Sequence, residues 1–234
     1  PDLTGRAFIG NGNAFHIARL YAMRFNGTVF RAEEIKRLPK DQKVCVISAS
    51  GGKDSIEVTK HFTDAVLLTC NPNAPSKEYS SKCITLPAEK EPPFYNVTTY
   101  AGMIYLLDRV KLNPPFEDKL LLNELNYSAI IFIASLNKHP IASMTALKMR
   151  EIFGKMALSL TREEAYHGWF LHPTKYEGLV TVDTDFEFNS PYKLSGSLLN
   201  LLSHLYYNIG ILQEKTVPNK PDYQRILDLR NWKL

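Results

Sequence analysis

One segment constrains this chain more than any other: Val44-Cys45-Val46-Ile47-Ser48-Ala49-Ser50-Gly51-Gly52-Lys53-Asp54-Ser55. An apolar, β-branched run stops at a small, hydroxyl-rich Gly-Gly turn. The amphipathic run Ile56-Glu57-Val58-Thr59-Lys60-His61-Phe62 follows at once. That succession predicts a strand, a tight loop and a helix. Such a loop gathers backbone N–H groups, the hydroxyls of Ser48, Ser50 and Ser55 and the Lys53 ammonium over a helix N-terminus. Unpaired amides and the helix dipole both stabilise an anion there, so the segment points to a phosphate. A ligand-free Gly-Ser turn has the same letters, and only the surroundings separate the two.

The surroundings repeat the pattern. Ala7-Phe8-Ile9 runs into Gly10-Asn11-Gly12-Asn13, and Phe15 to Phe25 reads as a helix. Gly27 to Phe30 is a short strand, Ala32 to Leu38 a short helix, and Ala65 to Thr69 a strand ending in Cys70-Asn71-Pro72-Asn73. Lys82 to Leu86 is a further strand and Thr98 to Leu112 a long apolar helix, in which Tyr100, Met103, Tyr105 and Leu106 fall at core spacing. This alternation predicts an α/β fold, a parallel sheet with helices on both faces. Ligands on such sheets bind at the carboxyl ends of strands, where these Gly, Asn and Ser loops lie.

Leu112-Asn113-Pro114-Pro115-Phe116 interrupts the alternation and marks a boundary between residues 1–112 and 113–234. A second unit opens with the strand Tyr127 to Ala134 and a helix from about Ile141 to Ala157. Gly178 to Val182 is a strand and Leu194 to Ile209 an apolar helix. The strand–loop–helix units at Phe8 and Ile131 suggest an internal repeat.

Composition narrows the class. At 234 residues the chain can bury a sizeable core, and its net charge of +4 is too small and dispersed to argue for nucleic acid. Cys45, Cys70 and Cys83 are odd in number and lack C-x-x-C spacing, which predicts free thiols in a reducing cytoplasm. No run is long enough to span a bilayer, so no membrane association is expected. No signal-peptide pattern opens the chain, although a start on Pro1-Asp2-Leu3 leaves room for a trimmed N-terminal segment. His16, His61, His139 and His204 show no metal-ligand spacing; neither metal nor cofactor is expected.

Ser50-Gly51-Gly52-Lys53-Asp54-Ser55 resembles the loop of PP-loop ATP pyrophosphatases, which adenylate a substrate with ATP. Ser48-Ala49-Ser50-Gly51 resembles the S-x-S-G loop of sugar isomerase (SIS) domains, which grips a sugar phosphate. A PP-loop protein carries its loop on the first strand; here it sits on a later one, after a complete strand–loop–helix, which favours SIS. Thr69-Cys70-Asn71-Pro72 resembles the family's T-x-N-P. Pro140-Ile141-Ala142, Ala146-Leu147-Lys148-Met149-Arg150-Glu151-Ile152, Glu164-Ala165-Tyr166 and Leu171-His172-Pro173 resemble the isomerase half of glucosamine-fructose-6-phosphate aminotransferases.

The resemblance implies an SIS fold with one full unit and an abbreviated second one. It also implies a phosphosugar isomerase acting on a hexose or amino-sugar 6-phosphate. Ser48, Ser50, Lys53 and Asn13 would hold the phosphate. Glu151 would be the base, Lys148 would orient it or an oxygen, and His172, with His167 as its rival, would help open the ring. A carboxylate suits proton transfer between adjacent carbons because one group takes the proton and returns it. Lys148 and Glu151 are three residues apart on the expected helix, so they share a face. A homodimer is implied too. Ala14, Ala49 and Met144 depart from the family's pattern, and Asp228 lies near the place of its C-terminal lysine, with Lys233 the nearest candidate. These departures keep a sugar-phosphate sensor without chemistry as an alternative.

Overall fold

The computed structural model describes residues 2–86, 88, 97–108, 127–168, 177–182 and 192–216. The first half is built from β1 (Ala7–Ile9), α1 (Asn13–Phe25), β2 (Thr28–Phe30), a 3-10 turn (Ala32–Arg37), β3 (Val44–Ile47), α2 (Lys53–His61), β4 (Ala65–Thr69), a second 3-10 turn (Pro75–Tyr79), β5 (Lys82–Thr85) and α3 (Val97–Asp108). Its sheet has the order β2-β1-β3-β4-β5, and every pairing is parallel.

Parallel strands need crossovers, which cover both faces of the sheet, and so its central strands are apolar on both sides. β3 has the side chains for this. Cys45 and Ile47 join Phe8, Val66 and Leu68 in a core completed by α1 and α3. Val44 and Val46 join Ile9 and Leu67 in a smaller core closed by Val58 of α2 and by Phe62, the residue that caps its end. The Tyr21 hydroxyl of α1 donates to the Met103 carbonyl of α3 at 2.8 Å, tying the two helices together.

The second half contains β6 (Ala129–Ala134), α4 (His139–Phe153), β7 (Met156–Thr161), α5 (Arg162–His167), β8 (Glu177–Val182), β9 (Tyr192–Leu194) and α6 (Leu198–Thr216). Its order, β7-β6-β8-β9, is again wholly parallel and repeats the pattern β2-β1-β3-β4 of the first sheet. α4 packs against α1, α6, β6 and β7. It therefore shares the main core with the inner residues of both sheets, and most of its length is buried, including Lys148. Among the described residues no helix is long and apolar enough to cross a membrane.

Several elements differ from the sequence reading. The helix expected to reach Ala157 stops at Phe153, because Gly154 adopts φ 60° and its N–H caps the Arg150 carbonyl. Ala157 belongs instead to β7, which periodicity had merged with the helix. β9 and α5 were not anticipated, although the capping box Thr161-Arg162-Glu163-Glu164 marks the start of α5: Thr161 Oγ1 accepts from the Glu164 N–H, and Glu164 accepts from the Thr161 N–H. Tyr105 is 52 % exposed and is not a core residue. The expected boundary at 112–116 lies outside the described residues.

Candidate functional site

In the first sheet the chain leaves β1 toward β2 on one side and, from β3 onward, builds toward β5 on the other. Crossovers therefore diverge from the carboxyl ends of β1 and β3 and leave a crevice between them. A cleft of about 530 Å³ opens there. Asn13, Ser48, Ser50, Lys53, Lys148 and Glu151 all line it. The structure thus brings together six of the seven residues singled out from the sequence; the seventh, His172, lies outside the described residues.

The loop between β3 and α2 is held from both sides. The hydroxyl oxygens of Ser48 and Ser50 accept from the N–H groups of Gly51 at 3.1 Å and Gly52 at 3.3 Å. Their own O–H protons remain to donate to a ligand. Ser55 donates to the Gly52 carbonyl at 2.6 Å, fastening the loop to the first turn of α2. From behind, Thr69 Oγ1 donates to the Ala49 carbonyl, Asn71 Nδ2 to the Ser50 carbonyl and the Ser76 N–H to the Gly51 carbonyl. The Thr69-Cys70-Asn71 turn is thus the brace of the loop. Gly51 sits at φ 65°, and any Cβ would lie 2.4 Å from the Ala74 Cβ, so only glycine fits this backbone path. Gly52 caps α2 without a side-chain bond to its first amides, and Lys53 opens the helix. An anion in front of this helix meets the positive end of its dipole and one ammonium.

The loop after β1 faces it. A Cβ on Gly10 would lie 2.6 Å from the Ala14 carbonyl oxygen, so glycine allows the first turn of α1 to close over the strand end. Asn11 is used at both ends: Nδ2 donates to Asp54 Oδ2 of α2 at 2.8 Å, and Oδ1 accepts from the Ala32 N–H at 3.1 Å. This amide ties the two cleft-lining loops together. Asn11 and Asp54 were not singled out from the sequence; Asx residues flanking a Gly-rich turn are the signal that would have found them. Asn13, first residue of α1, is buried, and its Oδ1 has no partner among the described residues.

α3 and α4 also line the cleft. Lys148 is 2 % exposed, and its Nζ lies 3.7 Å from Glu151 Oε2 one turn along α4. Tyr100 of α3, expected as core, is in the core and lines the cleft as well. Where α1 meets α4, Arg19 Nη2 approaches His139 Nδ1 at 3.1 Å. Burial, reinforced by Arg19 and His139, holds the His16 imidazole down at about 3, and burial followed by Arg19 also lowers His139. Both are therefore neutral at physiological pH. Among the described residues no three His, Cys, Asp or Glu side chains gather as a metal-ligand set.

These features define the class: a doubly wound parallel α/β protein with its crevice at the switch point of the first sheet. No protein-family model matches the chain, and no curated protein matches its sequence. Solved structures match its fold. Glucosamine-6-phosphate deaminase from Thermotoga maritima superposes with a TM-score of 0.67 at 12 % identity, over 92 % of this chain and 85 % of that one. Tagatose-6-phosphate ketose/aldose isomerase from Escherichia coli does so with a TM-score of 0.62 at 14 % identity, over 94 % and 84 %. The C-terminal domain of glucosamine-fructose-6-phosphate aminotransferase from Francisella tularensis gives 0.59 at 15 % identity, over 90 % and 85 %. The chain has the SIS fold, as its motifs implied.

Proposed function

We propose that this protein binds a hexose or amino-sugar 6-phosphate and isomerises it between aldose and ketose. The observation that carries the reading is a single cleft with two unlike ends. One end is a hydroxyl-rich helix N-terminus with Lys53, suited to a phosphate; the other is the Lys148–Glu151 pair, suited to proton transfer. The three structures described above that share the fold are all named for sugar 6-phosphates, which supports the substrate class.

In this reading Ser48, Ser50, Lys53 and Asn13 hold the phosphate. Glu151 removes a proton from one carbon of the opened sugar and returns it to the neighbour, while Lys148 keeps the carboxylate oriented. His172 assists ring opening. Residues 1–112 act as the phosphosugar-binding unit, and 113–234 as an abbreviated unit that contributes the base. The protein works in the cytoplasm as a homodimer.

Thermal-shift measurements with fructose 6-phosphate, glucosamine 6-phosphate and ATP–Mg test the ligand class, since stabilisation grows with concentration over Kd. The sugar phosphates should raise Tm and ATP–Mg should not; the reverse would return the loop to the PP-loop reading. Stabilisation without turnover would favour a sensor. Lys53→Ala should mainly raise KM, because a cation attracts the phosphate equally in ground and transition state. Glu151→Gln should lower kcat by about 10²–10⁴-fold while binding survives. Normal turnover by Glu151→Gln would put the base elsewhere.

A further inference from the structure

The Lys148 ammonium is almost completely enclosed, and a buried charge persists only where other groups compensate its lost hydration. Glu151 offers a carboxylate 3.7 Å away. The Tyr206 ring offers another kind of partner, its centroid lying 5.8 Å from Lys148 Nζ. That is within the reach of a cation–π contact, which strengthens as water is removed. Tyr206 comes from α6 and is 1 % exposed. It meets the Tyr100 ring edge-on, with centroids 6.1 Å apart and planes at 86°. Its hydroxyl has no hydrogen-bond partner among the described residues. Tyr206 does not line the cleft, yet Tyr100, Lys148 and Glu151 all do.

We propose that Tyr206 is a positioning residue that fixes the Lys148–Glu151 pair through its aromatic face rather than its hydroxyl. The inference rests on the reading of Glu151 as the base. α6 thereby has a chemical duty beyond closing the core: its ring holds the ammonium, the ammonium holds the carboxylate, and Tyr100 braces the ring from the cleft side. The consequence is a division between ring and hydroxyl. Tyr206→Phe keeps what matters, and Tyr206→Leu removes it.

The test follows exchange of solvent deuterium into fructose 6-phosphate and glucosamine 6-phosphate in D2O, with kcat and KM for wild type, Tyr206→Phe, Tyr206→Leu and Glu151→Gln. Tyr206→Phe should stay within about threefold of wild type, and Tyr206→Leu should lose about tenfold or more in kcat with KM little changed. In a Lys148→Met background, Tyr206→Leu should cost nothing further, because the residue acts through Lys148. Protein carrying 13Cε-lysine should show two lysine methylenes moved upfield, that of Lys60, whose Nζ lies 4.2 Å from the Tyr79 ring centroid, and that of Lys148; Lys60→Gln, on the surface, removes the first and leaves the second. An unchanged kcat in Tyr206→Leu, equal losses in the Phe and Leu variants, or no displaced lysine signal in Lys60→Gln would each overturn the proposal. If wild type exchanges no deuterium, or Glu151→Gln exchanges normally, the parent reading falls instead. The lysine spectrum of Lys60→Gln then still decides whether Tyr206 holds Lys148.

Discussion

Replacing Gly51 by alanine puts a measurable load on the loop that defines the cleft. Gly51 sits at φ 65°, and the new Cβ would lie 2.4 Å from the Ala74 Cβ and 3.0 Å from Ser76 Oγ. Gly5 is an internal control: its φ is 68°, and a Cβ there meets nothing within 4 Å. Both substitutions carry the left-handed penalty, about 1–2 kcal/mol. Only Gly51→Ala adds overlap, since carbon atoms rest about 3.5–4 Å apart. Relieving it by moving the loop or the Ala74 turn costs about 1–3 kcal/mol more. Gly51→Ala should therefore lose about 2–5 kcal/mol and Gly5→Ala about 1–2. Urea unfolding reads this as a lower midpoint at constant slope. Ala74→Gly deletes the struck atom, so a double-mutant cycle should return much of the difference. The reasoning also binds structure to function: Gly51→Ala shifts Ser48 and Ser50 and should weaken sugar-phosphate binding, whereas Gly5→Ala should not. Equal losses in the two variants, or additivity with Ala74→Gly, would refute it.

Three other outcomes are expected. His16 is held down at about 3 by burial and then by Arg19, His139, Arg31 and Arg150. Above pH 6.5 it is neutral folded and unfolded; below that the unfolded chain takes up a proton that the native state refuses. Stability should then fall by about 1.4 kcal/mol per pH unit on this account, toward pH 3, and His16→Gln should flatten urea-derived stability against pH over that window. An unchanged slope would show that His16 is not the group responsible. Burial pushes the Cys45 thiol up to about 12, so native protein at pH 8 should alkylate at Cys83 well before Cys45, followed by peptide mass spectrometry. Equal rates would contradict its enclosure. Thr161→Ala removes the hydroxyl that caps α5 and should cost about 1 kcal/mol; a loss within error would mean that the helix start depends on packing alone.

Much of the architecture was legible because local chemistry specified it. β3 and β4 begin and end where the apolar runs do, since Lys43 and Asp64 precede them and turn-forming Ser, Gly and Asn residues follow them. The loop was legible because small, hydroxyl and glycine residues have few other uses in that order. α4 was legible at its start but not at its end: Met156-Ala157-Leu158 fits the helical pattern as well as a strand, and the left-handed turn at Gly154 decides between them. β9, of 3 residues, is too short to carry a period. Asn11 and Asp54 were passed over because their bond spans 43 positions in the chain.

Local chemistry along the chain specifies the alternation of strands and helices, the hydroxyl-rich loop after β3 and the i,i+3 spacing of Lys148 and Glu151. These depend on neighbours within one or two turns of chain, where backbone sterics and side-chain periodicity act directly. Strand order, the burial of Lys148 and its partnership with Tyr206 were decided by tertiary structure alone. Only when α4 is enclosed between the two sheets and packed against α6 do the hydroxyl-rich loop, the carboxylate and the aromatic ring share one cleft and its wall. That enclosure also excludes water from the ammonium, and so its attraction to ring and carboxylate is stronger than either pair would have on a solvated helix.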